Sequence, residues 1–400
     1  MNQPEEKQLP LAGIRVIEFV HMVMGPTCGL LLADLGAEVI KVEPVPEGDN
    51  TRRLMGSGAG YWMTYNRNKK SFAVDIKSDK GKEAVRKLIA TADVVIENFR
   101  LGAMEKLELG YEQVKAIKPD IIYSSMKGFL PGPYENRTAL DEVVQMMTGL
   151  AYMTGPVGRP LRAGASVNDV MGGMFSAVSI LAALLQRKET GRGQFVQTGL
   201  FENSAFLVAQ HMMQKVVTGA SAAPMPSRIS AWAIYDVFDT DQENEQVFIG
   251  VVSDSQWQAF CTAFDFQELG NDPALARNNQ RVIAREQIMP LVRERVAGMS
   301  KQAVMKLCEQ AGLPFSPIQR PDDLFDDHHL NESGGMTELA LPNGESVKVP
   351  MLPFEMDGQR FGARLNVPQM GSHSRELLEQ LGYTAEAIDA LEATGTIKSA

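Results

Sequence analysis

The sequence predicts an α/β protein with a doubly wound, mostly parallel sheet and a second, smaller domain. Three observations predict it. Over residues 1–125, strand-like and helix-like segments alternate with short connections, the pattern of parallel strands joined by crossover helices. Residues 141–220 are rich in Met, Ala and Gly at helical spacing, and the segment TGASAAPMPSR (218–228) then reads as a linker. Finally, 400 residues that are 44% hydrophobic and 22% charged carry enough apolar material for a large core, and more chain than one small domain needs.

The elements follow in order. GIRVIEFV (13–20) reads as a buried strand, because β-branched and aromatic residues suit a pleated, covered surface. A helix over about 25–35 follows, and Gly36 suits its C-terminal stop. AEVIKVE (37–43), SFAVDI (71–76), DVVIENF (93–99) and DIIYSSM (120–126) supply further strands. Ser78 stands where it would cap the helix DKGKEAVRKLIATA, and a short helix lies around 111–117. HMVMGPTCG follows the first strand in place of GxGxxG, which disfavours a dinucleotide-binding domain of otherwise similar topology. VMGGMFSAVSILAALLQRKETG (170–191) reads as a long buried helix whose methionines fill core. After the strand GQFVQTGLF, a second helix spans 201–217. The chain therefore divides into 1–217, the linker 218–228, a smaller α+β domain over 229–317 and a return segment, 318–400. The smaller domain holds the strands AIYDVF and EQVFIGVV around a polar turn, and SRELLEQLG and TAEAIDALEAT are the last helices.

Composition excludes several function classes. A net charge of -10 argues against a nucleic-acid partner, which calls for a basic face. No uninterrupted apolar run approaches the roughly 20 residues of a membrane span, so no membrane partner is expected. The polar start, MNQPEEKQLP, lacks an export signal. Cys28, Cys261 and Cys308 are few and scattered, which fits the reducing cytoplasm. The cluster DDLFDDHHL (322–330) invites a metal, but adjacent His328 and His329 point apart and no cysteine is near, so a solvated surface is expected and no metal site. His211, mid-helix, reads as a core or interface residue.

One carboxylate stands out. Asp169 sits in RAGASVNDVMGGM, at the start of the long apolar helix. Ser166 and Asp169 have the spacing of a capping box, and local pattern alone favours that structural role. A carboxylate at a helix N-terminus is also stabilised as an anion, and Gly172-Gly173 just beyond permit close approach of another backbone or a ligand. These features allow a nucleophile without requiring one.

Motif order tips the balance. LAGIRVIEFVHMVMGPTCGLLLADLGAEVIKVEPVPEGDNTR, NRNKKSFAVDIKSDKGKE, VIENFRLGAMEKLELGYEQV, IIYSSMKGFLPGPY, TGRGQFVQTGLFEN and PQMGSHSRELLEQLGY occur in one order along nearly the whole chain. Together they resemble the class III coenzyme A transferases, the family of formyl-CoA and carnitine CoA-transferases. The resemblance implies a Rossmann-like large domain made from both ends of the chain, a smaller middle domain and an interlocked homodimer. It places the family's nucleophilic aspartate at Asp169, which would form an acyl anhydride and then an aspartyl-CoA thioester, splitting one hard exchange into easier steps. Coenzyme A and its thioesters are then substrates, with a small carboxylic acid as acceptor and no resident cofactor.

By motif position, Asn68, Lys69, Lys70, Asn98, Phe99, Arg100, Lys106 and Arg137 are the candidate CoA contacts. His21, Val23, Met24, Leu140, Gly172 and Gly173 are candidates for the acyl side. Formyl-CoA transferases carry glutamine where Val23 stands, and a glycine-rich loop where this chain reads GVVSDSQW (250–257). Both departures count against formyl specificity. With Arg137, Arg162 and Arg228 available to clamp a second carboxylate, the expected substrate is a dicarboxylate with a succinyl-CoA-type donor. An intramolecular mesaconyl-CoA C1–C4 transfer would use the same Asp169 chemistry. The related α-methylacyl-CoA racemases need a histidine where this chain has Leu140, and a non-catalytic CoA binder would not need Asp169.

Overall fold

The computed structural model describes residues 9–228, 230–341 and 344–400. The polar N-terminal residues 1–8 and residue 229, the expected start of the smaller domain, lie outside them. The described chain forms two compact units, one running up to Pro226 and resuming at His328–Ala400, the other within Ser227–Asp327.

The large unit is built on β1 (Arg15–Phe19), β2 (Glu38–Glu43), β3 (Lys69–Val74), β4 (Val94–Glu97), β5 (Ile122–Lys127) and β6 (Gln194–Gly199). With Ile397–Lys398 they make a seven-stranded sheet ordered Ile397–Lys398, β3, β2, β1, β4, β5, β6. Every neighbouring pair is parallel except the terminal strand on β3. Alternation along each strand sends side chains to opposite faces. Val16, Ile96 and Ile122 pack with α1 (Met24–Asp34) through Cys28 and Leu32. Their neighbours Ile17, Val95 and Tyr123 pack beneath the helix Asp79–Ala90, through Val85 and Leu88. Each such aliphatic side chain stabilises the fold by about 1.5–3 kcal/mol. The chain's end closes the second face, where Leu377 and Ile388 join that core and Ser374 Oγ accepts the Ala73 N–H at 3.1 Å.

The crossover from β5 to β6 holds α2 (Asp141–Met147) and α3 (Val167–Thr190), and α4 (Leu200–Thr218) follows β6. α3 begins three residues before the expected 170, so Asp169 lies in its first turn. It ends at Gly191, whose φ of 65° no β-carbon favours. Against the sequence expectation, α3 is by length and composition apolar enough to cross a membrane, and 44% of that apolar window is buried.

The smaller unit is an antiparallel sheet of β7 (Tyr235–Asp239), β8 (Gln246–Gly250) and β9 (Phe315–Pro317), packed under helices that include Asp254–Ala263 and Arg285–Ala297. Phe238, Val247, Trp257, Phe260 and Val292 fill its core. It closes at Asp327, beyond the expected 317, because the turn Pro321–Asp326 stays with it. His328 and His329 then begin a short helix of the large unit, where His328 faces Glu332 at 3.1 Å. Among the described residues no group of three or more His, Cys, Asp or Glu is placed to hold a metal.

Candidate active site

In the strand order 3-2-1-4-5-6 the chain changes direction between β1 and β4, and a crevice opens beyond their C-terminal ends. A cavity of about 600 Å³ lies there. His21 to Met24 enter it after β1, Asn98 to Leu101 after β4, and Lys127 and Gly128 at the end of β5. Arg137 to Glu142 and Asp169 close the far side. Of the candidate residues, the cavity thus gathers His21, Val23, Met24, Asn98, Phe99, Arg100, Arg137, Leu140 and Asp169.

Asp169 is not the cap of its own helix. Ser166 holds the N-cap position but makes no side-chain cap bond, and its hydroxyl lies 3.4 Å from that of Tyr61. Asp141 of α2 caps α3 instead, its Oδ2 accepting the N–H groups of Asn168 (2.8 Å) and Asp169 (3.1 Å). Asp141 is held in turn by a Gln145 hydrogen bond and by Arg162 at 3.7 Å. The Asp169 carboxylate is therefore left without a hydrogen-bond or ion-pair partner among the described residues. Its pKa rises to about 7, first through burial and then through the nearby Asp141 charge, with Arg162 opposing. Beside it, burial, Tyr61 and Asp169 all raise the Tyr65 phenol, which stays protonated.

Other walls are stiffened by their own bonds. Asn98 brackets the His21 backbone, accepting its N–H at 3.0 Å and donating to its carbonyl at 2.9 Å. The His21 ring stacks on Phe99 with centroids 5.6 Å apart, and burial holds its pKa below the ordinary imidazole value, so it is neutral at pH 7. Lys127 pairs with Glu97 at 2.6 Å and donates to the Phe99 carbonyl at 2.6 Å, fixing the loop after β4. Arg137 has no carboxylate partner among the described residues and lies over Tyr134, 4.9 Å from the ring centre.

Several candidates fall elsewhere. Lys69 is fully buried, pairing with Glu18 at 2.9 Å and donating to the Pro26 carbonyl at 3.0 Å. It cannot meet a phosphate. Asn68 is a staple to the C-terminal segment: it donates to Asp34 (2.7 Å) and to the Gly362 carbonyl (2.9 Å), and accepts the Arg364 and Leu365 N–H groups. Lys70 is occupied by Glu38 (3.0 Å) and Glu376 (2.8 Å), and exposed Lys106 lies outside the cavity lining. Gly172 and Gly173 are buried against α1, not open to a ligand. A β-carbon on Gly172 would lie 2.6 Å from the Met24 methyl, and one on Gly173 2.6 Å from the Met24 carbonyl oxygen. Backbone approach, the other use foreseen for these glycines, is the one realised. Arg228 lies in the smaller unit, whereas Arg162 lines the cavity but is engaged by Glu142 at 2.7 Å.

Sequence reading gave no cavity role to Asp141, Lys127 and Tyr61. Each carries a polar group within or beside a motif already singled out, but their partners are far along the chain.

Residues 11–374 match the family model for CoA-transferase family III. The chain belongs to CoA-transferase family III. Among CoA-transferases, it is 31% identical to succinyl-CoA:glutarate CoA-transferase of Mus musculus, over 97% of this chain and 90% of that protein. It is also 31% identical to succinyl-CoA:mesaconate CoA-transferase of Haloarcula hispanica, over 93% and 96%. A crystal structure of a CAIB/BAIF family protein from Brucella suis superposes with a TM-score of 0.83 at 32% identity, covering 94% of this chain and all of that one. CoA-transferases use acyl-CoA thioesters as substrates.

Proposed function

We propose that this CoA-transferase moves coenzyme A between a succinyl-type thioester and a second dicarboxylic acid, with Asp169 as the covalent nucleophile. One observation carries the reading: Asp141 takes the helix-cap duty, and the Asp169 carboxylate lines the cavity with no hydrogen-bond or ion-pair partner among the described residues. An Asp169 oxygen attacks the thioester carbonyl, the C–S bond breaks and CoA leaves as thiolate, giving a mixed anhydride. The thiolate then attacks the aspartyl carbonyl, which frees the donor acid and leaves an aspartyl-CoA thioester. The acceptor carboxylate runs the same steps in reverse. Water has to be kept from the activated aspartyl group, which it would otherwise hydrolyse.

Two features support a dicarboxylate. Arg137 offers a cation without an acidic partner among the described residues, suited to a distal carboxylate, and relatives bear succinyl-CoA:glutarate and succinyl-CoA:mesaconate names. Val23 is buried and apolar where a formyl-specific site would be polar. A second copy of the chain would cover the apolar side chains exposed along α3 and α4, among them Phe175, Val178, Leu185, Phe206, Met212 and Val216. That face supports the homodimer. It also accounts for the apolarity of α3 without a membrane. The three cysteines, all buried free thiols, support a cytoplasmic enzyme.

The test is a panel of succinyl-, acetyl- and formyl-CoA donors against mono- and dicarboxylate acceptors, with mesaconyl-C1-CoA alone as the intramolecular arm. Succinyl-CoA with a five-carbon dicarboxylate should be turned over fastest, and Arg137→Ala should raise the acceptor KM about tenfold or more with kcat less affected. Turnover confined to monocarboxylates, or isomerisation of mesaconyl-C1-CoA without acceptor, would overturn the substrate reading.

A further inference from the structure

The strand β1 ends in a strained turn. Met22, which lines the cavity, has φ 63°, a left-handed conformation that a residue with a β-carbon rarely adopts. Such a conformation persists only where its surroundings over-determine it. Here they do. Lys41 Nζ donates to the Val20 carbonyl at 2.6 Å, and Asn98 holds both backbone groups of His21. The Met22 N–H donates to the Thr51 hydroxyl at 2.9 Å.

Thr51 is buried and is not part of the cavity wall. Its hydroxyl has one proton and gives it to Asp49 Oδ1 at 2.8 Å, which leaves a lone pair aimed at Met22. Asp49 also accepts the Thr51 N–H at 2.8 Å and pairs with Lys41 at 2.9 Å. Burial pushes the Asp49 carboxyl up, but Lys41 and the Thr51 bonds outweigh it and hold it ionised. The Asp49 N–H donates to Glu43 at the end of β2, at 3.0 Å, so the whole assembly is tied to the sheet. A closed relay thus runs from β2 through Asp49 and Thr51 to Met22, and through Lys41 back to Val20.

We propose that Thr51 is a positioning residue for CoA transfer, holding the Met22 turn so that the cavity wall recognises the acyl group. Met22 exposes 41% of its surface and lines the cavity, so a shift of its backbone moves an apolar side chain of the cavity wall. The wall continues into α1, whose Met24 packs on Gly172 and Gly173 of the helix carrying Asp169. The bland alternative is that Thr51 only satisfies buried polar groups. That role would affect stability and leave acyl selectivity alone.

The inference rests on the CoA-transferase reading of the cavity, and the experiment separates the two. The ratio of kcat/KM for succinyl-CoA to that for acetyl-CoA is measured for the full-length wild type, Thr51→Val, Thr51→Ser and Met22→Gly, and for the double variant Thr51→Val/Met22→Gly. Thr51→Val keeps the shape and loses the hydroxyl, and should lower the ratio about tenfold. Thr51→Ser keeps the hydroxyl and should match wild type. Glycine tolerates the left-handed turn without an anchor, so in the Met22→Gly background Thr51→Val should change the ratio by less than about twofold. An active wild type whose ratio is unmoved by Thr51→Val, or effects that add in the double variant, would overturn the role of Thr51 alone. If Thr51→Val does not fold, Thr51→Ala, which also lacks the hydroxyl, is read in its place, and an unmoved ratio in it would overturn the role of Thr51 in the same way. A wild type inert with every donor would sink the transfer reading as well.

Discussion

Two groups of acidic side chains in the large unit, one buried and one half-buried on the cavity wall, are built on opposite rules. Under the sheet, Glu18, Lys69, Lys41 and Asp49 form a lattice in which each charge meets an opposite one within 3.8 Å. At the N-terminus of α3, the like charge of Asp141 acts on Asp169 more strongly than the opposing charge of Arg162. Asp49 is held ionised, whereas Asp169 is pushed to about 7. A paired buried charge is a scaffold; an unpaired one is held in a state that reaction can relieve.

The largest effect expected of a change to the scaffold is on stability. Lys69→Ala leaves Glu18 buried without its nearest cation and should cost about 3–5 kcal/mol. Denaturant unfolding measures it, and the activity per folded molecule should stay close to wild type. A variant of normal stability that had lost CoA binding would mean that Lys69 meets the ligand after all.

The two glycines under α1 sharpen the comparison at the next size down. Gly173→Ala drives a β-carbon into the Met24 carbonyl oxygen and lies 3.0 Å from the Cys28 nitrogen, backbone that cannot step aside. It should cost about 1–3 kcal/mol and reduce kcat as Asp169 shifts with its helix. Gly172→Ala meets only the flexible end of the Met24 side chain, so thermal unfolding and turnover should change less. Equal effects would break the claim that these glycines set the α1–α3 spacing.

The smallest effect is in pH dependence. The proposed mechanism requires the ionised form of Asp169, whose folded pKa is raised to about 7. Below that value kcat/KM for the donor should fall about tenfold per pH unit, and above it the rate should level, with each unit equal to about 1.4 kcal/mol. A profile flat down to pH 5 would mean that Asp169 of the free enzyme keeps an ordinary carboxylate pKa.

Much of the fold was legible because strands and helices announce themselves locally. Val16-Ile17 and Val94-Val95-Ile96 are β-branched runs covered on both faces, and Ser78 caps its helix as its position suggests. The division of labour at α3 was not legible. Ser166 and Asp169 have the spacing of a capping box, but the cap comes from Asp141, 28 residues before Asp169, and only the fold brings them together. NRNKK misled for a similar reason. Three of its five residues bury their polar groups on partners as distant as Asp34, Glu18 and Arg364, and a run of basic residues looks the same whether it greets a phosphate or a buried carboxylate. Asp169 was singled out as the expected nucleophile by motif order along the chain, and what the geometry adds is a carboxylate on the cavity wall whose helix-cap duty falls to Asp141.

The central claim is that Asp169 becomes covalently activated. The direct measurement is mass spectrometry of the enzyme incubated with succinyl-CoA and then trapped with hydroxylamine. A hydroxamate should form on the peptide carrying Asp169, only when thioester is present, and Asp169→Ala should lose both the adduct and CoA exchange. Exchange that proceeds with Asp169 unmodified, or that survives in Asp169→Ala, would contradict the account.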